Sequence, residues 1–189
     1  TFRRLGTRLQ GHPTTAEGLP GVRVASGSLG QGLSVAVGVA QAKKLANDNH
    51  LVYVLMGDGE QEEGQIWEAA MYAPAKNVDN IVAIVDYNKK QIDGPTDDVL
   101  SLGDLRAKYE SFGWKVWECN GNDMQEVVDT LTKIRENTQK GQAQILLAHT
   151  EMGMGVDFMM GTHKWHGVAP NDEQAANALS QLKETLGDY

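Results

Sequence analysis

Asp58 and Asn88 are the residues whose types and spacing point most directly to chemistry. Asp58 lies between Gly57 and Gly59, at the end of the apolar run 51–56. Asn88 follows a second apolar run, 81–85, thirty positions after Asp58. An acidic segment and an alanine-rich helical segment separate them. Two buried parallel strands joined by a helix read this way. In such a unit the two strand ends lie side by side at one edge of the sheet, which brings Asp58 and Asn88 to one crevice. One carboxylate, one amide oxygen and loop carbonyls make a hard, oxygen-only cation site. Mg²⁺ suits it when a ligand's phosphates complete the octahedron. Gly59 lets a ligand approach the backbone, and the next helix turns its free N–H groups toward an anion. The pattern predicts a magnesium-bridged diphosphate site. A glycine turn followed by an unrelated asparagine would explain Gly-Asp-Gly alone. It does not explain the strand, helix, strand and Asn in register.

Three further groups of residues carry possible chemistry. Gly27-Ser28-Leu29-Gly30-Gln31-Gly32 opens a long helical pattern, and close helix packing is its simplest reading. Gly11-His12-Pro13 reads on its own as a surface turn. Gly161-Thr162-His163-Lys164-Trp165-His166-Gly167 carries two histidines, which can donate, accept or carry a proton near neutral pH. Zinc binding by that pair competes, but no third ligand type clusters with them. Glu60, Glu62, Glu63 and Glu68 crowd the start of the helix after Asp58. There they either complement the helix dipole as solvated charges or border the site. Met152 to Met160 reads as flexible apolar packing.

The elements that must position these groups alternate along the chain. Residues 1–10 read as the end of a helix closed by Gly11 and Pro13. A loop with Gly18, Pro20 and Gly21 follows, and the helix after Gly32 carries Leu33, Val37 and Ala40 on one face. A strand at 51–56, a helix over about 62–75 and a strand at 81–86 come next. Pro95 breaks the loop after Asn88. A helix is expected at 103–112 and a strand at 114–119, with Lys115, Trp117 and Cys119 alternating against Val116. Asp123 caps a helix over 124–137, and a strand covers 143–148. Residues 149–170 are too many for an ordinary connection, and long structured loops often carry function. A last helix over about 171–186 is opened by Asn171 or Asp172. Alternating strands and helices predict an α/β fold, a doubly wound parallel sheet with helices on both faces. No repeat, low-complexity stretch or internal boundary divides residues 1–189, so one domain is expected.

Composition excludes several classes. The 189 residues carry a net charge of −8, which argues against a nucleic-acid surface, since that needs a basic stripe. Cys119 is the single cysteine, so an internal disulfide and a cysteine metal cluster are excluded. No apolar run is long enough to span a membrane and the start is no signal peptide, so a cytoplasmic protein is the default expectation. The chain opens in what reads as mid-helix, so a piece of something longer is expected.

Gly-Asp-Gly with Asn about thirty residues on resembles the thiamine diphosphate motif, and the wider chain, from Arg3 to about Pro170, resembles transketolase in its diphosphate-binding domain. The resemblance implies a thiamine diphosphate-binding fold, with Mg²⁺ (or Ca²⁺) held by Asp58, Asn88 and the backbone carbonyl of Lys90. Gly59 would offer its N–H to a phosphate. Gly27 to Gly32 is similar to the family's Gly-Pro-Leu-Gly-Gln-Gly, with Ser28 replacing the proline, as in transketolases made as two chains. It implies that the Gly27 carbonyl holds the aminopyrimidine and that Leu29 packs near the thiazolium. Gly-His-Pro implies that His12 bonds sugar hydroxyls. Gly-Thr-His-x-x-His-Gly implies that His166 lies between diphosphate and substrate, with His163 close by. Glu63 and Glu68 match glutamates at the family's homodimer contact.

The implied reaction moves a two-carbon ketol unit between sugar phosphates, as in the pentose phosphate pathway. The resemblance covers one of the family's three domains. The glutamate that meets the pyrimidine ring, the arginines for the sugar phosphate and an upstream diphosphate-contacting histidine lie outside this sequence. A pyrimidine-binding partner subunit, or a longer polypeptide, is therefore expected. A 2-oxoacid dehydrogenase or a deoxyxylulose phosphate synthase also carries Gly-Asp-Gly and Asn, but the paired histidine motifs favour sugar hydroxyls. A non-catalytic partner-binding subunit is the rival from outside enzymology.

Overall fold

A computed structural model describes residues 2–183. Four parallel strands, β1 (Val52–Gly57), β2 (Ile81–Tyr87), β5 (Lys115–Asn120) and β6 (Gln144–His149), form one sheet in the order β1-β2-β6-β5. The short strands β3 (Lys90–Gln91) and β4 (Gly94–Pro95) make a separate antiparallel ribbon in the loop after β2. The helices are α1 (Gln31–Leu45), α2 (Gly64–Ala75), α3 (Thr96–Leu100), α4 (Leu105–Phe112), α5 (Met124–Asn137) and α6 (Asp172–Gln181).

The central strands are apolar on both faces because helices cover both. Ile81, Ala83, Val85, Ile145 and Leu147 join Leu33, Val37, Ile66, Ala70 and Tyr109 from α1, α2 and α4 in one core. Val82, Leu146 and Cys119 pack instead with Ile134 of α5. Each fully buried large apolar side chain contributes roughly 1.5–3 kcal/mol. The expected alternation in β5 is present: Val116 enters the first core, whereas Trp117 and Cys119 lie in the second. The doubly wound α/β expectation is met.

The edge strand β1 is covered on one face only. Val54 and Met56 are buried, while Tyr53 and Leu55 on the other face are exposed. Val35 and Val39 of α1 are exposed nearby, and with Leu29 they line a groove of about 490 Å³. Among the described residues no helix is long and apolar enough to cross a membrane.

One expected element is absent. Residues 2–10 form turns rather than the end of a helix. Arg3 and Gly6 take positive φ, and the Arg3 N–H donates to the Leu9 carbonyl across 2.7 Å. Leu5 is fully exposed. A short helix draws most of its stability from burying an apolar face, and Leu5 buries none. The short helix α3 is an element that the sequence pattern does not predict. It starts at Thr96, where Pro95 presets the entry with φ −60. The last helix, opened by a reciprocal Asn171–Gln174 capping box, ends at Gln181, where Leu182 turns to extended backbone, so its expected continuation over 182–183 is absent; residues 184–186, also expected to continue it, lie outside the described residues.

Candidate functional site

The register of β1 against β2 sets Gly57 opposite Asp86. The chain leaves both strands at the same edge, one residue before Asp58 and one before Asn88. A cavity of about 430 Å³ opens there, lined by Asp58, Gly59, Asn88, Lys90, Leu29 and His166 among others. The crevice expected from the strand–helix–strand reading therefore exists.

Asp58 is 2% exposed. Its carboxylate accepts from the Gly59 N–H at 2.8 Å and from the Lys89 N–H. Burial pushes its pKa above the usual carboxylate value, partly offset by those backbone donors, and the nearby Asp86 charge raises it further. Among the described residues no Lys, Arg or His forms an ion pair with it. A buried, unpaired carboxylate is costly unless a cation joins it. Asn88 Oδ1 accepts from the Lys90 N–H at 2.9 Å, which leaves its second lone pair for a cation.

Gly59 departs from expectation in one respect. Its N–H, expected to face a phosphate, closes onto Asp58, because Asp58 caps the 3-10 turn Gly59–Glu62. Its missing side chain matters more: a Cβ there would stand 2.6 Å from Gln91 Oε1. Among the described residues, Gln91 Oε1 and Glu62 Oε1 have no hydrogen-bond partner although both are buried, and both residues line the cavity. Buried acceptors left unpaired await a donor or a cation.

Gly27 lines the adjoining groove rather than this cavity, and Leu29 and Glu60 line both. Gly27 has φ +123, and a Cβ on it would meet His12 Cδ2 at 2.7 Å. His12 thus packs on Gly27, next to the groove. His166 is exposed and reaches the cavity wall, whereas His163 does not line it. His163 supports its neighbour, its carbonyl accepting from the His166 N–H at 2.9 Å. Among the described residues no three His, Cys, Asp or Glu side chains converge as metal ligands. A metal at this cavity must therefore draw on amide and backbone oxygens as well.

Three supporting residues are not assigned by sequence reasoning. The neighbours of Glu60 suggest a solvated charge or a border residue. Instead it accepts from the Gly30 N–H at 2.8 Å and the Gly57 N–H at 3.2 Å, and so ties the start of α1 to the end of β1. α1 has no capping side chain of its own, and Gly30, with φ +83, would press a Cβ to 2.9 Å from Glu63 Cβ. Gln61 is fully buried, donates to the Gly57 carbonyl at 3.0 Å and accepts from the Tyr109 hydroxyl at 2.5 Å. Asp86 lines the cavity and accepts from the Thr150 hydroxyl. The adjacency of two glycine turns with free N–H groups is the available signal for Glu60. Gln61 gives none, because a glutamine in an acidic segment reads as surface.

Comparisons with known proteins agree with this geometry. Residues 1–187 match the family model for the transketolase, thiamine diphosphate-binding domain. The chain is 43% identical to one subunit of an apulose-4-phosphate transketolase of Phocaeicola vulgatus, over 98% of this chain and 65% of that one. It is 36% identical to one subunit of a 6-deoxy-6-sulfo-D-fructose transketolase of Clostridium sp., over 97% of this chain and 66% of that one. The chain thus spans just under two thirds of the length of these curated relatives. A transketolase from Campylobacter jejuni superposes with a TM-score of 0.86 at 31% identity, covering 95% of this chain and 29% of that one. A transketolase from Pichia stipitis, solved with sedoheptulose-7-phosphate, superposes at 0.85 and 29% identity over 95% of this chain and 28% of that one.

Proposed function

The chain belongs to the transketolase family, as its thiamine diphosphate-binding domain, and we propose that it forms the diphosphate-binding half of a two-chain enzyme. That enzyme transfers a two-carbon ketol unit from a ketose phosphate to an aldose phosphate. The observation that carries this reading is the single cavity bordered by Asp58, Gly59, Asn88, Lys90, Leu29 and His166. Its donor set fits Mg²⁺, or Ca²⁺ in its place: a buried carboxylate without an ion pair, an amide oxygen and the Lys90 carbonyl.

Thiamine diphosphate would, when bound, supply the electron-accepting chemistry that a two-carbon transfer needs. The chain's own residues bind and orient. Asp58, Asn88 and the Lys90 carbonyl hold the metal that neutralises the diphosphate. Gly59 keeps the cavity floor low enough for phosphate to approach, and Leu29 offers an apolar wall to the thiazolium. The Gly27 carbonyl accepts from the aminopyrimidine. His12 bonds substrate hydroxyls, and His166 holds or moves a proton at the substrate oxygens, with His163 bracing it.

The P. vulgatus relative is named as one subunit of its transketolase, which supports a partner chain here too. A pyrimidine-binding subunit would complete the cofactor site, and the exposed face of β1 and α1 gives it apolar surface to cover. The homodimer contact is assigned to Glu63 and Glu68; Glu68 borders a groove between α1 and α2 with Gly38 and Tyr72.

Titration calorimetry of thiamine diphosphate with Mg²⁺ tests the reading. Binding that appears or tightens sharply when a pyrimidine-domain chain is added is the expected result. No binding in either case would leave a non-catalytic partner-binding subunit. His12→Ala should slow turnover with sugar phosphates by about tenfold, the worth of one hydrogen bond, and leave cofactor affinity nearly intact. A collapse of cofactor affinity instead would mean that His12 serves by holding Gly27.

A further inference from the structure

The segment 151–167 is built, not slack. Val156 is buried, and Gly153, with φ +74, would drive a Cβ to 2.5 Å from Met159 Cβ. Phe158 and Trp165 meet edge to face at 5.3 Å, and Trp165 Nε1 donates to the Phe158 carbonyl at 2.9 Å. The segment is therefore a compact strap with its own packing, and His166 rides at its end. Where His166 stands depends on what anchors the strap to the sheet edge.

Glu151 is placed to be that anchor. Its Oε1 accepts from Lys90 Nζ at 3.1 Å and from the Gly161 N–H at 2.8 Å. Its own N–H donates to Asn122 Oδ1 at 2.6 Å. One residue thus joins three places: the loop after β2 that borders the cavity, the glycine two before His163, and the turn after β5. The Lys90 side chain, 16% exposed, is largely withdrawn from water, which strengthens a charge-assisted contact. We propose that Glu151 is a positioning residue for the ketol transfer, clasping the histidine-bearing strap onto the cofactor loop through Lys90 and Gly161, so that His166 faces the substrate end of the cavity. Glu151 touches neither cofactor nor substrate; it acts through His166.

The kinetic part rests on the ketol-transfer reading, whereas the structural part stands without it. The test uses the assembled two-chain enzyme. In Glu151→Ala, amide hydrogen exchange across residues 158–167 should rise at least about threefold while exchange in β2 stays unchanged. The kcat/KM for the sugar phosphate should fall about tenfold, with the Kd for thiamine diphosphate and Mg²⁺ within about twofold of the unmodified enzyme. Glu151→Gln keeps both acceptor contacts without the charge and should recover most of the loss, a rescue that general loosening would not show. Lys90 Nζ also reaches the Asn88 carbonyl at 3.5 Å, so adding Lys90→Leu to Glu151→Ala should cost less than Lys90→Leu costs alone, because the shared contact is already gone. Unchanged exchange and unchanged kcat/KM in Glu151→Ala would overturn the clasp. So would a fall in cofactor affinity with exchange unchanged, since Glu151 would then act on the cofactor loop alone. If the unmodified enzyme binds cofactor but transfers no ketol unit, the functional reading fails and the exchange measurement alone decides the clasp.

Discussion

Asp58→Asn is expected to abolish Mg²⁺-dependent cofactor binding and, in the metal-free chain at neutral pH, to raise the melting temperature. The two effects share one cause. Asp58 is buried beside Asp86 and its folded-state pKa is raised, with burial the largest contributor. A carboxyl whose pKa rises on folding favours the fold when protonated. That contribution is complete below the unfolded value of 3.8 and is lost as pH climbs through the raised folded value. At neutral pH the ionised group therefore costs stability unless a cation joins it. Asparagine keeps the shape and removes the charge; its one acceptor serves either the Gly59 or the Lys89 N–H, which meet different carboxylate oxygens, so part of the gain is offset. Thermal melts in chelator should place Asp58→Asn above the unmodified chain at pH 7, with the gap closing as pH falls toward 4. Adding Mg²⁺ and cofactor to the assembled enzyme should reverse the order. Loss of a group that merely orients a metal ligand costs about 10–100-fold in affinity. Loss of the ligating carboxylate should exceed about a hundredfold. Binding that survives in Asp58→Asn would remove the metal assignment.

Glu60→Ala should lower stability by about 1.5–3 kcal/mol, the range for hydrogen bonds to a charged group. For a domain of this size that is a fall of about 3–12 °C in melting temperature. Both carboxylate oxygens are engaged, Oε1 by the Gly30 N–H and Oε2 by the Gly57 N–H. Alanine strands both donors and releases the start of α1 from the end of β1. Glu60→Gln can satisfy only one of them, because its amide nitrogen cannot accept, and should lose about half as much. Glu60 also borders both the cavity and the adjoining groove. Cofactor affinity in the assembled enzyme should therefore fall about tenfold in Glu60→Ala. A melting temperature unchanged in both variants would return Glu60 to the solvated charge that its sequence neighbours suggest.

Much of the frame was legible because it depends on local pattern. The apolar runs around Ala83 and Leu146 have the length of strands buried on both faces; the run around Val54 reads the same way but forms an edge strand covered on one face only. The spacing of Ile66, Ala69, Ala70 and Ala73 belongs to one helical face, and all four are buried. Adjacent parallel strands joined by one helix must end at the same edge, so the approach of Asp58 to Asn88 followed from chain order. The gathering of the candidate residues was legible to the same depth: Asp58, Gly59, Asn88, Lys90, Leu29 and His166 line one cavity. Gly27 and His12 stand together beside it, and His163 stays behind its neighbour.

The sequence by itself therefore determined a parallel α/β sheet and the residue types gathered at its edge. Hydrophobic period and strand order are properties of short stretches, and short stretches are what a chain displays. Only the tertiary structure decided which side chains hold those stretches in place. Glu60 finds Gly30 across thirty positions, and Lys90 finds Glu151 across sixty-one. The second meeting depends on β6 inserting between β2 and β5, which carries the chain that follows His149 back to the loop after β2. The turns at residues 2–10 belong with these. Their apolar residues suit a helix, but with Leu5 left in water no packing energy is available to fix one. A hydrogen bond between distant residues has no period and no local composition. It exists only once packing has set the distance.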